Sequence, residues 1–323
     1  MKEFDLIDRF FKHGGHQRKD VIIGIGDDAA ITQIPANQYL ATTTDTLVSG
    51  VHFLPDSDPR AVAYKAVAVN LSDLAAMGAE PAWISLSLSI PDINQDWLAS
   101  FTEGLYELTQ YYSVQLIGGD TVSGPLALTI TAQGFVPHDS ALRRSGAKPG
   151  DWIYVTGTVG DAGAGLDILK GELEAEQAAA DFLIKRHQYP SPQVVAGTAL
   201  RRAASACIDV SDGVLGDLRH ILHSSHCGAL LHVDKLPLSE ALRSSVSPQR
   251  AIEYALTAGD DYELLFTVAE DFKSQVETAF SSFNVNATCI GQVTGAVNKV
   301  ELKLNNSPYR YEGAGGFEHF NAK

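Results

Sequence analysis

The chain has 323 residues, of which 45% are hydrophobic and 20% are charged, which is typical of a globular protein and excludes a disordered or fibrous one. Its 39 acidic and 24 basic residues give a formal net charge of -15, which disfavours nucleic acid or an anionic membrane as a partner. At roughly 150 residues per domain, the length predicts two domains.

Cysteine content and the N-terminal residues indicate the compartment. The three cysteines are an odd number without C-x-x-C spacing, so they predict neither a disulfide framework nor a thiolate zinc site. Residues 1–15 mix charges with aromatic residues, which predicts a short amphipathic helix and not a signal peptide. No uncharged apolar run approaches the ~20 residues that cross a bilayer. We therefore expect a cytoplasmic protein.

In the first half, strands and helices alternate. An Asp cap followed by proline predicts a helix over Asp58–Met77, with Gly78 as its stop. Alternating Ile/Leu and Ser residues predict a half-buried strand over 83–90. The other predicted elements are strands at 21–26, 39–48, 114–119 and 126–136 and a helix at 95–112.

The second half follows a polar stretch, which we interpret as a linker over residues 138–150 between domains at 1–137 and 151–323. Its pattern predicts one long helix from about Gly165 to Arg186, after a glycine-rich turn. Another helix is expected to begin at Ser191-Pro192. One strand is predicted at 151–157, and four more are predicted within the segments ACIDV, ALLHV, YELLFTV and ATCIGQV. The whole chain is predicted to be α/β.

Acidic residues recur where apolar, glycine-rich runs end. They follow or interrupt five such segments, and Asp73 occupies an apolar helix where an unpaired carboxylate is costly to bury. Any one of them could be a turn former or a helix cap. Together they predict a site for hard divalent cations, which prefer oxygen ligands. The acids at these segment ends are Asp27, Asp28, Asp45, Asp120, Asp209, Asp212, Asp260 and Asp261.

Phosphate-binding motifs give a weaker indication. The chain has no P-loop motif, and GIGDDA is a poor dinucleotide fingerprint because two carboxylates would face the pyrophosphate. The turn GTVGDAGAG at 157–165 is a more plausible nucleotide contact, although a purely structural glycine turn explains it equally well. HILHSSHC lacks a fourth zinc ligand at a recognised spacing. On local grounds, His52 and Arg144 remain compatible with ordinary structural roles.

Taken together, these segments resemble the thiamine-monophosphate kinases. The resemblance rests on the ordered pieces GIGDDAA, TTDTLVSGVHF, YKAVAVNLSDLAAMGAEPAW, LIGGDT, RSGAKPGDWIYVTGTVGD, LIKRH, DVSDGVLGDL and GDDYELLFTV. It implies a two-domain aminoimidazole ribonucleotide synthetase-like fold of the α/β (α+β) class. In that fold the N-terminal domain forms a dimer-interface β-barrel, and a C-terminal α/β domain completes the active site. It also implies a homodimer.

The resemblance further implies roles for individual residues. Nucleotide contacts would be Gly119, Asp120, Arg144 and Ser211. His52, Asp260 and Phe317 would contact thiamine monophosphate. Asp260 stands where the family commonly has a glutamate, and Phe317 stands where the family has an aromatic residue, often tryptophan. Magnesium ligands would be Asp28, Thr43, Thr44, Asp45, Asp73, Asp120, Asp209 and Asp212, the two threonines partly through backbone carbonyls.

The expected reaction is Mg²⁺-dependent, direct in-line transfer of the ATP γ-phosphate to thiamine monophosphate, stabilised by the metal cluster and Arg144. A phosphate is already a competent nucleophile, so we assign no general base. Three alternatives stay open: another ATP-dependent enzyme of the superfamily acting in purine or selenophosphate synthesis, a non-catalytic metal or thiamine-phosphate binding protein, and a Mg²⁺-dependent phosphatase.

Overall fold

A computed structural model describes residues 3–12 and 14–311 of the chain. The chain divides into two compact units, Met1–Leu74 with Ala79–Asp139, and Ala75–Gly78 with Ser140–Lys323. Both units combine helices with sheets, which confirms the predicted mixed α/β class. No helix in the described part of the chain is both long enough and apolar enough to span a membrane.

The first unit is built on a four-stranded sheet in the order β3-β6-β4-β5, with β4 and β5 parallel and the other pairs antiparallel. A separate two-stranded ribbon joins β1 to β2. Its elements are α1 Glu3–Phe10, β1 Val21–Ile23, β2 Ile31–Thr32, β3 Gln38–Val48, α2 Pro59–Ala76, β4 Glu80–Ile90, α3 Gln95–Tyr111, β5 Gln115–Ser123 and β6 Ala127–Pro137.

The two faces of this sheet differ in chemistry because side chains alternate along each strand. One face is apolar and buried, with Ile84, Leu86 and Leu88 of β4 at its centre. The other face carries hydroxyl groups, among them the pairs Thr44–Thr131 and Thr46–Thr129. The half-buried strand predicted at 83–90 is thereby confirmed. Within the described chain the sheet is open, with β3 and β5 at its edges, and does not close into a barrel.

The second unit carries a seven-stranded sheet in the order β13-β12-β9-β11-β7-β10-β8, in which only the β12–β9 pair is parallel. Apolar side chains of α7 and the sheet form its main core. Its elements are β7 Trp152–Thr156, α4 Asp161–Leu169, α5 Gln177–Gln188, α6 Val194–Leu200, β8 Ala204–Asp209, α7 Val214–Ser225, β9 Gly228–His232, α8 Glu240–Ser245, α9 Pro248–Thr257, β10 Leu264–Val268, α10 Glu270–Ser282, β11 Ala287–Thr294, β12 Val300–Leu304 and β13 Ser307–Tyr309, with a 3-10 turn at Val233–Lys235.

Two predictions about helices in this unit are wrong. The single helix expected over 165–186 is two helices, α4 and α5, because the chain turns at Gly171, whose φ of 73° suits glycine. The helix expected to begin at Ser191-Pro192 begins at Val194, so proline lies before the helix and not at its first position.

Candidate active site

A cavity of about 590 Å³ lies within the first unit, between the segment after β1 and strand β5. Its lining includes the acids Asp27, Asp28 and Asp120 and the glycines Gly118 and Gly119. Apolar side chains from α1, from the residue that follows it and from β5 also line the cavity. Among them are Ile7, Phe11, Leu116 and Ile117. The structure therefore brings together residues predicted from two separate motifs, Asp28 from GIGDDAA and the adjacent Gly119 and Asp120 from LIGGDT.

Gly119 is required at this position for steric reasons. Its φ is 156°, and a Cβ atom built there would lie 1.8 Å from the carbonyl oxygen of Leu86 on the adjacent strand. At Gly118, by contrast, an added Cβ would meet nothing within 4 Å. Only at Gly119 does the close approach of β4 to β5 exclude a side chain.

A second acidic group joins β3 to α2 on the buried face of the same sheet. The Thr43 hydroxyl donates a short hydrogen bond to the Asp73 carboxylate. Asp45 lies two residues beyond Thr43, on the same side of the strand. Burial, and then the negative charge of Asp73, raise the pKa of Asp45 to about 6. Two carboxylates held this close favour a cation beside them.

Thr44 and His52 lie apart from that acidic pair. Thr44 points to the opposite face of β3, where its hydroxyl contacts Thr131 Oγ1 at 3.0 Å. His52 follows β3 in a turn, and its Nδ1 accepts a 3.0 Å hydrogen bond from the Val48 amide. An imidazole whose Nδ1 accepts carries its proton on Nε2, so His52 can donate from Nε2 to an anionic group.

In the second unit, the predicted acids of DVSDG lie beside the segment 259–262. Asp260 N donates to Ser211 O at 2.9 Å, and Tyr262 N donates to Val210 O at 2.9 Å. The end of β8 and this segment therefore form one acidic surface, which includes the four described positions predicted in this unit besides Arg144. Those four positions are the buried Asp209 and the partly exposed Ser211, Asp212 and Asp260.

Asp217, on the first turn of α7, underlies this acidic surface and was missed from the sequence. Its carboxylate accepts a 2.9 Å hydrogen bond from the amide of Asp212. Burial, opposed by amide donors and reinforced by Asp209 and Asp212, raises the pKa of Asp217 to about 8. The acidic repetition in DVSDGVLGDL is the sequence feature that could have indicated it.

Of the two remaining predicted positions, Arg144 and Phe317, the structure describes only Arg144. Arg144 is exposed, on a segment that runs beside β8, where Arg143 O accepts from Cys207 N at 2.8 Å. Phe317 lies outside the described residues.

A buried ionic network in the second unit surrounds Arg186 of α5. Its Nη2 donates to Glu263 Oε1 at 2.9 Å and to Thr158 O at 3.1 Å, and its Nε lies 3.6 Å from Asp161 Oδ2. Glu263 also accepts from the Thr156 hydroxyl at 2.6 Å, and Asp161 accepts from Thr158 and Ser239. These carboxylates have donors within the protein, so the network is structural.

This network answers the question about the glycine-rich turn at 157–165. The Asp261 carboxylate accepts from the amides of Gly160, at 2.6 Å, and Ala162, at 3.2 Å. A carboxylate of the protein itself thus occupies the N-terminus of α4, where a phosphate would bind. Burial, opposed by Arg186 and these amides, raises the pKa of Asp261 to about 8. The nucleotide-contact interpretation of this turn is wrong, and the structural one is correct.

Metal binding can be judged from the donor chemistry. In residues 3–12 and 14–311, no three His, Cys, Asp or Glu side chains are placed to coordinate one ion. The predicted ligands instead form smaller oxygen-only groups, such as Asp45 with Asp73, that burial and like charge make receptive to a cation. Oxygen-only donors suit Mg²⁺ better than zinc or copper, so the residues fit the expected ion.

Two protein-family models and individual known proteins match this chain. The model of the AIR synthase related protein N-terminal domain matches residues 26–136, and that of the AIR synthase related protein C-terminal domain matches residues 148–303. The thiamine-monophosphate kinase of Escherichia coli (strain K12) is 51% identical over 319 residues, which are 98% of each chain.

Solved structures agree with these matches. The thiamine-monophosphate kinase from Stenotrophomonas maltophilia K279a is 42% identical with a TM-score of 0.84, over 91% of this chain and 93% of that chain. The structure of AaThiL complexed with AMPPCP and TMP is 32% identical with a TM-score of 0.78, over 92% of each chain.

Proposed function

The chain belongs to the thiamine-monophosphate kinase family, and from that premise we propose that it transfers the γ-phosphate of ATP directly to thiamine monophosphate, giving thiamine diphosphate and ADP. The observation that carries the proposal is the cavity in the first unit, where Asp28 meets Gly119 and Asp120 of a distant segment of the sequence. A relative of known structure is complexed with AMPPCP and TMP, which are an ATP analogue and this substrate.

The chemistry of the cavity suits a nucleotide. Its lining offers the carboxylates of Asp28 and Asp120 for the metal-bound phosphates, and the side chains of Phe11 and Leu116 offer an apolar surface for the base. We assign Arg144 and Ser211 as further nucleotide contacts on the basis of the family resemblance. Arg144 is exposed, and a guanidinium group pairs well with phosphate oxygens.

Magnesium is the cofactor that this proposal requires. When bound, Mg²⁺ neutralises the phosphate charge and aligns the reacting groups. The residues assigned to hold it are Asp28, Thr43, Thr44, Asp45, Asp73, Asp120, Asp209 and Asp212. The chain has a net charge of -15, so without cations its acidic site would repel both substrates.

The protein's own part in the transfer is to bind, orient and stabilise. A phosphate oxygen of thiamine monophosphate attacks the γ-phosphorus in line with the departing ADP, and no side chain removes a proton. Because Nδ1 of His52 accepts from Val48 N, its proton lies on Nε2, and we assign that N–H to the acceptor phosphate. Asp260 and Phe317 are assigned to the thiamine part of the substrate, and Arg144 to the charge that develops during transfer.

The proposed organisation follows the family. Residues 1–137 form the ATP/Mg-binding and dimerisation domain, 138–150 the linker, and 151–323 the domain that completes the active site. Two copies of the open four-stranded sheet would close into a barrel in a homodimer. The protein is proposed to work in the cytoplasm, in keeping with its free cysteines. Light scattering during gel filtration tests the dimer, and a monomer mass would refute it.

The activity is tested by incubating purified protein with ATP and thiamine monophosphate, with and without Mg²⁺, and separating the products chromatographically. Free thiamine serves as a parallel acceptor. The proposal expects Mg²⁺-dependent thiamine diphosphate from the monophosphate only. Inorganic phosphate without thiamine diphosphate would indicate a phosphatase, and binding without turnover a non-catalytic protein. A radiolabelled phosphoprotein formed from labelled ATP alone would refute direct transfer.

A further inference from the structure

The carboxylate of Asp260 is contacted at both of its oxygens. Oδ1 accepts a 2.9 Å hydrogen bond from the Tyr262 hydroxyl, and Oδ2 lies 3.6 Å from Nδ1 of His187, the penultimate residue of α5. The His187 side chain is 6% exposed and the Asp260 side chain is 31% exposed. One partner is therefore fixed in the interior, while the carboxylate it faces remains accessible to a ligand.

The backbone around Asp260 is held in an unusual conformation. Asp260 and Tyr262 have positive φ values of 63° and 52°, and the preceding Gly259 has φ 73°. Residues other than glycine adopt positive φ values at an energetic cost, so the conformation persists only where surrounding contacts impose it. Such residues are often found at ligand sites. Here the hydrogen bonds to Ser211 O and Val210 O impose it.

The position of His187 is itself secured by its neighbour in sequence. Arg186 donates to Glu263 Oε1 and to Thr158 O, so the end of α5 is tied to the segment that follows Asp260. Consecutive residues of α5 thus have different tasks. Arg186 connects buried structure, and His187 faces the exposed carboxylate.

We infer that His187 is a positioning residue that orients the Asp260 carboxylate toward the cationic thiazolium ring of thiamine monophosphate, and thereby sets the affinity for that substrate. The inference rests on the proposed function. A carboxylate one methylene shorter than the glutamate common in the family reaches less far, so its direction matters more.

Steady-state kinetics of His187→Ala provide the test. Losing a contact to a charged group is expected to raise the KM for thiamine monophosphate about tenfold, while kcat and the KM for ATP stay within about twofold. His187→Asn, whose amide can occupy the place of Nδ1, should restore most of the affinity. Lys185→Ala changes an exposed residue of the same helix and should match wild type. Equal changes in both KM values, or no rescue by asparagine, would overturn the inference.

A double-mutant cycle separates positioning from a general structural effect. In an Asp260→Ala background, His187→Ala should have no further effect on the KM for thiamine monophosphate, whereas additive effects would overturn the inference. Tyr262→Phe removes only the hydroxyl donor to the same carboxylate, and it should raise that KM without His187 being changed. An unchanged KM in Tyr262→Phe would count against an oriented carboxylate.

The wild-type protein distinguishes failure of this inference from failure of the proposed function. If wild type makes thiamine diphosphate but His187→Ala is unaffected, only the role of His187 is refuted. If wild type makes none, the proposed function is refuted and the assignment of His187 to thiamine monophosphate falls with it.

Discussion

Acidic side chains occupy two contrasting environments in this molecule. Around Arg186, the buried Glu263 accepts hydrogen bonds from the guanidinium and from a hydroxyl. The buried Asp161 accepts from two hydroxyls and lies 3.6 Å from the guanidinium. Between β3 and α2, Asp45 and Asp73 are near neighbours, and the charge of one disfavours ionisation of the other. The first group has its positive charge in Arg186, whereas in the second group Asp45 lies beside a like charge, an arrangement that favours a bound cation.

The contrast shows how structural and functional acids can be told apart. Both groups follow glycine-rich or apolar segments, so their sequence contexts are alike. Their physical difference is the source of the compensating charge, because a buried carboxylate needs a donor or a cation. Substitutions should therefore affect stability in one group and activity in the other.

The largest expected effect belongs to Arg186→Met. Removing the guanidinium leaves the carboxylates of Asp161 and Glu263 buried without their cation, which should lower the free energy of unfolding by about 3–5 kcal/mol. Urea unfolding measures this, with Arg219→Met, an exposed arginine of α7, as the control. A loss of less than about 1 kcal/mol would mean that the network is not structural.

Asp45→Asn should lower activity and leave stability intact, in contrast to Arg186→Met. Losing a metal charge in a partly buried site is expected to reduce kcat about 100-fold or more. The melting temperature should stay the same or rise, because burial and Asp73 already disfavour the charged form of Asp45. Asp56→Asn removes an exposed acid eleven residues further along the chain and should leave both quantities unchanged. Wild-type turnover in Asp45→Asn would show that the ligand assignment is wrong.

A smaller effect is expected from Gly119→Ala, which tests the wall of the cavity that Asp28 and Asp120 line. Its Cβ would lie 1.8 Å from Leu86 O, so the strands must separate, at about 1–3 kcal/mol of stability, and the KM for ATP should rise. Gly118→Ala meets no atom within 4 Å and is the matched control. Equal behaviour of the two variants in thermal unfolding and ATP kinetics would contradict the account.

The smallest effect should come from Glu301→Gln, in a third environment. Glu301 Oε1 lies 2.8 Å from Lys299 Nζ, with both side chains more than half exposed. Solvent screens such a pair, so we expect no measurable change in melting temperature or activity. A clear loss of stability would show that exposure is a poor guide to which acids matter.

Much of the first unit could be predicted from sequence because its patterns are local. Cap and proline located α2 at Pro59–Ala76, one residue inside the predicted bounds at each end. The serine alternation located β4. In the second unit, Val300, Leu302 and Leu304 alternate before Asn305-Asn306, a two-residue turn with φ values of 50° and 66°, yet we missed this hairpin. Its pattern is short and mixed with charges, which hides it.

The site was predictable only in part, because long-range pairing determines it. Local rules allowed a phosphate at the start of α4, but Asp261, about 100 residues later, occupies that position. Likewise nothing within LIKRH shows that its Arg186 meets Glu263 or that its His187 faces Asp260. Family resemblance supplied the candidate residues, and the fold brings Asp28, Gly119 and Asp120 around one cavity and Asp260 beside the end of β8.

The most direct test of the central claim is a crystal structure grown with Mn²⁺, a non-hydrolysable ATP analogue and thiamine monophosphate, with anomalous scattering used to locate the ions. The account predicts metal peaks bound by Asp45 and Asp73, and none beside Arg186. A peak within the Arg186 network, or none at Asp45, would contradict the distinction between the two groups of acids.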